Sequence, residues 1–107
     1  MIRWVSLTDI DVPTGRVRRV TVEGRVLALA REGDAWFAVD DACPHQGASL
    51  GEGLVIRGMI VCPRHNWAFD LETGACRGMP GTGVGCYPVR VCEGRVEIGL
   101  PGPGDEA

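Results

Sequence analysis

No apolar run in this sequence approaches the length of a membrane span, and Asp9 arrives before an apolar signal region can form. A cytoplasmic protein with no membrane partner is therefore expected. An excess of positive charge is missing too: the formal net charge is −3 and the arginines are scattered, so there is no basic footprint for nucleic acid. Also absent are a helical pattern longer than a turn, a repeat of fixed period and a composition shift that would mark a linker. At 107 residues the expectation is a single domain over 1–107, with no room for a separate catalytic domain.

Glycine and proline are abundant, at 16 and 7, with valines and isoleucines in short runs between them. That pattern predicts an all-β fold of short antiparallel strands joined by turns. Val17 to Val22 and Arg25 to Ala30 flank Glu23-Gly24, and Trp36 to Val39 follows Glu32-Gly33-Asp34. Leu54 to Arg57 and Met59 to Val61 form a hairpin around Gly58 that delivers Cys62 at a strand end. Trp67 to Leu71 reads as a strand, and Pro88 to Cys92 and Arg95 to Ile98 flank Glu93-Gly94. Between Asp40 and Gly53 the strand pattern is broken, so residues of about 40–72 are expected to form a small subdomain inserted into a β base. Pro101 to Ala107 offers nothing to bury and is expected to fray as a flexible tail (101–107).

Five cysteines, an odd number without a secretory signal, favour metal ligation or free thiols over a disulfide framework. Two of them stand in ligand-like boxes: Cys43-Pro44-His45 and, after sixteen residues (46–61), Cys62-Pro63-Arg64-His65. A tetrahedral zinc site using two cysteines and two histidines is one reading, though its usual spacing pairs like ligands within each half. Here each loop offers one thiolate and one imidazole. That division also suits two irons, one taking Cys43 and Cys62 and the other His45 and His65, with sulfides bridging them.

Cys43-Pro44-His45-Gln46-Gly47-Ala48 and Cys62-Pro63-Arg64-His65-Asn66-Trp67 resemble the two cluster boxes of the Rieske family, and the likeness extends through Phe69-Asp70-Leu71-Glu72-Thr73-Gly74 and Tyr87-Pro88-Val89-Arg90-Val91. The resemblance implies a Rieske fold of small antiparallel sheets, one Rieske-type [2Fe–2S] cluster per chain, and cofactor and metal binding by Cys43, His45, Cys62 and His65. It implies single-electron transfer, with no catalytic residue of the chain's own. High-potential members carry a Ser and a Tyr hydroxyl and an inter-loop disulfide around the cluster. Trp67, Phe69, Ala48 and Arg64 stand at those positions here, so a potential near the low end of the family range of about −150 to +300 mV is expected. The resemblance also puts His45 and His65 at an exposed tip facing the partner, and Gly78-Met79-Pro80-Gly81 in a third loop shielding the cluster.

Within the family, His65-Asn66-Trp67 and the ending Gly85-Cys86-Tyr87-Pro88-Val89-Arg90-Val91 resemble the small subunit of assimilatory NAD(P)H-dependent nitrite reductase. That likeness implies a role in nitrate assimilation and a large partner subunit holding FAD, a [4Fe–4S] cluster and sirohaem. The alternative is a freestanding Rieske ferredoxin passing electrons from a flavin reductase to the terminal component of a ring-hydroxylating oxygenase, a group that usually has Gly where Asn66 stands. Arg77 to Val84 reads more like the ferredoxin's loop. Cys76, Cys86 and Cys92 match no box and are expected to be small buried residues, Trp4 and Trp36 to pack in the base, Trp67 to cover the cluster, and Arg16, Arg18 and Arg19 to form a solvated face.

Overall fold

The structure, a computed structural model, describes residues 2–8, 10–44, 47–64, 66–79 and 81–101. Ten strands run β1 (Ile2–Leu7), β2 (Arg16–Val22), β3 (Arg25–Glu32), β4 (Ala35–Asp40), β5 (Leu54–Ile56), β6 (Met59–Val61), β7 (Ala68–Asp70), β8 (Cys86–Tyr87), β9 (Val89–Cys92) and β10 (Arg95–Pro101), with a 3-10 turn over Leu50–Glu52. They form three antiparallel sheets in the orders β1-β10-β9, β2-β3-β4-β8 and β5-β6-β7. The all-β expectation holds, and no α-helix occurs among the described residues. Among the described residues no helix is long and apolar enough to cross a membrane.

The β2-β3-β4-β8 sheet is a middle layer with a core on each face. Side chains alternate along a strand, so Leu27 and Leu29 of β3 and Trp36 and Ala38 of β4 face one core, with Val20 and Val22 of β2. That core is completed by Val96, Ile98 and Leu100 of β10 and Val5 and Leu7 of β1. Ala28, Ala30, Phe37 and Val39 face the other core, completed by Ile60, Phe69, Leu50, Cys43 and Cys62. The unbroken apolar run Leu27-Ala28-Leu29-Ala30 is thus a strand buried on both sides, every residue of it 0% exposed.

Two-residue turns set the hairpins. Glu23-Gly24, Arg57-Gly58 and Glu93-Gly94 have φ of 50° and 82°, 47° and 77°, and 52° and 78°. Positive φ at both central residues matches the right-handed twist of the flanking strands. Trp67 and Leu71 lie just outside β7, because Trp67 closes the preceding loop. Pro101 ends β10 opposite Ile2, while the rest of the predicted tail lies outside the described residues. No local pattern in the sequence marks strands β1 and β8.

Candidate metal centre

The loops carrying Cys43 and Cys62 have the same construction. The first is closed by the antiparallel bridge Ala42↔Ser49, the second by the β6–β7 pair Val61↔Ala68, so each spans eight residues. In each the cysteine comes second, and its N–H donates to a carbonyl five residues on: Cys43 to Ala48 at 2.9 Å, Cys62 to Trp67 at 2.7 Å. In each the sixth residue adopts a left-handed conformation, Gly47 at φ 72° and Asn66 at φ 56°. Asn is among the few residues with a side chain that enter this region readily. A first-loop bond from the Gly47 N–H to the Cys43 carbonyl, 2.7 Å, tightens that turn.

This pairing brings two thiols together beneath the loops. Cys43 and Cys62 are each 1% exposed, unbridged, and members of one core with Phe69, Ile60 and Leu50. Burial pushes the Cys62 thiol up, the backbone N–H of Arg64 pulls it down, and the neighbouring Cys43 thiol, within hydrogen-bonding reach, raises it further. Two adjacent thiols withheld from water are soft donors suited to a metal that binds thiolate. His45 and His65, including their expected position at an exposed tip, lie outside the described residues.

The segment after β7 folds against the second loop. Cys76 bridges Phe69, its N–H donates to the Thr82 carbonyl, and the Arg77 N–H reaches the Ala68 carbonyl at 2.8 Å. Cys76 is buried as expected, and desolvation followed by the nearby Cys43 raises its thiol. Cys86 and Cys92 depart from that expectation: both are exposed, because β8 and β9 are edge strands. In the predicted third loop Met79 is exposed, and Pro80 lies outside the described residues. Trp67 packs partly buried against the core that contains both cysteines. Trp36 packs against the other core beneath Arg31, and Trp4 lies beneath the Arg90 guanidinium, 4.1 Å from its ring centre.

Three carboxylates not singled out by the sequence pattern tie these loops to the middle sheet. Glu32 accepts from the Gly58 N–H at 3.0 Å, and Asp40 accepts from the Gly85 N–H at 2.9 Å and the Tyr87 hydroxyl at 2.6 Å. Asp41 accepts from the Ser49 hydroxyl and the Gly51 N–H, both at 2.8 Å. The available signal was position alone, each lying at the end of β3 or β4.

Residues 4–88 match the family model for the Rieske [2Fe-2S] domain. The anthranilate 1,2-dioxygenase ferredoxin subunit of Burkholderia cepacia is 37% identical over 102 residues, covering 94% of each chain. A crystal structure from Mycobacterium tuberculosis, provisionally described as an NADH-dependent nitrite reductase small subunit, is 31% identical with a TM-score of 0.86, over 95% of this chain and 98% of that one. The ferredoxin in a complex of reduced oxygenase and oxidised ferredoxin of carbazole 1,9a-dioxygenase is 38% identical with a TM-score of 0.73, over 85% of this chain and 93% of its own. With a family model covering most of its length and relatives matched nearly end to end, the chain belongs to the Rieske [2Fe–2S] family, binds a cluster of that type and transfers electrons with a redox partner.

Proposed function

We propose that Cys43, His45, Cys62 and His65 hold the [2Fe–2S] cluster, the cysteines on one iron and the histidines on the other, within a single domain over 1–107 whose cluster-binding subdomain is about 40–72. The observation that carries the assignment is the pair of equal loops presenting two adjacent, buried, unbridged thiols. This donor set fits an iron–sulfur group, and the histidines' part rests on their places in the two boxes. When bound, the cluster supplies one-electron chemistry. The chain's own residues hold and shield it: Phe69, Ile60 and Leu50 exclude water from the cysteine side, and the closing hydrogen bonds fix both loops. Changing Cys43 or Cys62 to Ser is expected to remove iron and acid-labile sulfide together. A colourless chain holding one zinc would overturn the assignment.

The low potential belongs to the same proposal. Phe69 is fully buried and, like Trp67, carries no hydroxyl to offer a cluster sulfur, and the Trp67 carbonyl accepts from the Cys62 N–H. A midpoint in the lower part of the family range is expected by protein-film voltammetry. One well above zero would refute it.

The role proposed is that of the small subunit of an NAD(P)H-dependent nitrite reductase in the cytoplasm, partnered by a large subunit carrying flavin, a [4Fe–4S] cluster and sirohaem. Support comes from the end-to-end fit to the M. tuberculosis subunit, and the unbridged cysteines suit a reducing compartment. The higher identity to dioxygenase ferredoxins favours a second reading, a ferredoxin between a flavin reductase and an oxygenase. Native purification with partners identified by mass separates the two. Recovery with a sirohaem subunit is expected, and recovery with an oxygenase instead would overturn the first reading.

A further inference from the structure

Asp41 is the only charged side chain that is buried among the described residues, 5% exposed, and it lies two positions before Cys43. Burying a carboxylate is costly unless something is gained. Its partners show what is gained for the first loop. The Ser49 hydroxyl and the Gly51 N–H both donate to Oδ1, and the Leu50 N–H donates to the Asp41 backbone carbonyl at 2.7 Å. The Asp41 N–H donates to the Val26 carbonyl at 3.1 Å, which ties the same residue to β3. All three donors to Asp41 thus come from the segment where the chain leaves the first loop.

Comparison of the two loops shows why this one needs a clamp. The second is held between β6 and β7, which pair over three positions. The first is flanked only by the isolated bridge Ala42↔Ser49. The residue before the closing pair is Asp41 in the first loop and Ile60 in the second, so the carboxylate is a one-sided feature of an otherwise repeated construction.

Hydrogen bonding alone does not require the charge. The Ser49 hydroxyl and the Gly51 backbone N–H converge on one carboxylate oxygen, a geometry an amide oxygen would also serve. The other oxygen has Arg19 Nε at 3.7 Å, on a side chain 57% exposed, where a long, solvated pair offsets little of the charge. What Asp carries beyond Asn is a carboxylate charge, buried two residues along the chain from Cys43, and a negative charge so near a ligand position disfavours addition of an electron there.

We propose that Asp41 is the positioning residue of the first cluster loop, and that its charge holds the cluster's midpoint potential below the value the two loops alone would set. The inference rests on Cys43 being a ligand. Asp41→Asn keeps the acceptor oxygen and removes the charge. It is expected to retain full iron and sulfide and the wild-type electron paramagnetic resonance spectrum of the reduced chain, with the midpoint shifted upward. An unmoved midpoint overturns the charge role. Asp41→Ala removes the clamp as well and is expected to lower cluster content and broaden the spectrum; full content with an unchanged spectrum overturns the positioning role. Should that variant not fold, Ser49→Ala carries the positioning test, with faster cluster release to an iron chelator expected and an unchanged rate overturning it. Cys43→Ser keeps the two levels distinct. A chain that retains its cluster without Cys43 ends the ligand assignment, whereas an unshifted Asp41→Asn midpoint in a loaded chain ends only the role of Asp41.

Discussion

Asn66 has a φ of 56° at the same loop position where Gly47 has 72°, so one backbone requirement is met by two residue types. In the sequence Asn66 stands as a mark of the nitrite reductase subunit against the ferredoxins' Gly. The shared conformation shows that the two residues are alternative answers to the same turn, which reduces what Asn66 says about the partner. Asn66→Gly is accordingly expected to keep the cluster and change stability by less than about 1 kcal/mol, whereas Asn66→Val, forced into a left-handed conformation, is expected to cost about 1–2 kcal/mol in thermal unfolding. Gly51 is restricted for a different reason. A Cβ there would lie 2.6 Å from Arg19 Cβ and 2.8 Å from its Cα and N, so the 3-10 turn approaches β2 backbone to backbone. Gly51→Ala is expected to push that turn off the sheet at about 1–3 kcal/mol, measured by chemical denaturation, and to weaken cluster retention through Asp41.

At the scale of elements, the β5-β6-β7 sheet has one inner row, Val55, Ile60 and Phe69, in register across its three strands. Phe69 and Ile60 are 0% exposed and share their core with both cysteines, so the packing that holds this sheet on the middle layer also covers the candidate metal centre. Phe69→Ala is expected to destabilise the chain by about 3–5 kcal/mol and to raise the rate of cluster loss in step, since cavity and site share one core. Cluster loss unchanged in the face of such a destabilisation would show that the two are separate. The alanines at 28 and 30 contribute in the opposite sense: being small, they let Leu50, Phe69 and the cysteines settle against the middle sheet.

The molecule as a whole is three sheets deep, with the candidate metal centre at one core and strands β1 and β10 at the other. Arg90 joins the outer strands of that second layer, donating to Glu97 at 2.6 Å while lying over Trp4. The Arg90 hydrogen bond, then the one from the Ser6 hydroxyl, holds the Glu97 carboxyl below its ordinary value. A carboxylate depressed in the folded state contributes stability above its unfolded value, and that contribution is lost as pH falls through the folded one. Glu97→Gln is thus expected to lower the melting temperature at neutral pH, with the difference from wild type vanishing in acid. Since Glu97 is remote from both cysteines in the fold, the midpoint potential of the variant is expected to stay unchanged.

The family was legible in the boxes at 43–45 and 62–65 because its residue types stand at short, local spacings, and the hairpins were legible because Glu-Gly and Arg-Gly pairs state their turns locally. Local pattern could not reveal that β3 is buried on both faces, that the loops around Cys43 and Cys62 repeat one construction, or that Asp41 lies beneath the first of them. Each of those depends on which sheet packs on which, and on residues such as Asp41, Ser49 and Gly51 meeting across the loop they enclose. The residues thus determined what the chain binds and how its strands turn. Only the packing of three sheets decided how the two cysteines meet, what keeps water from them, and which carboxylate is buried where the chain leaves the first loop.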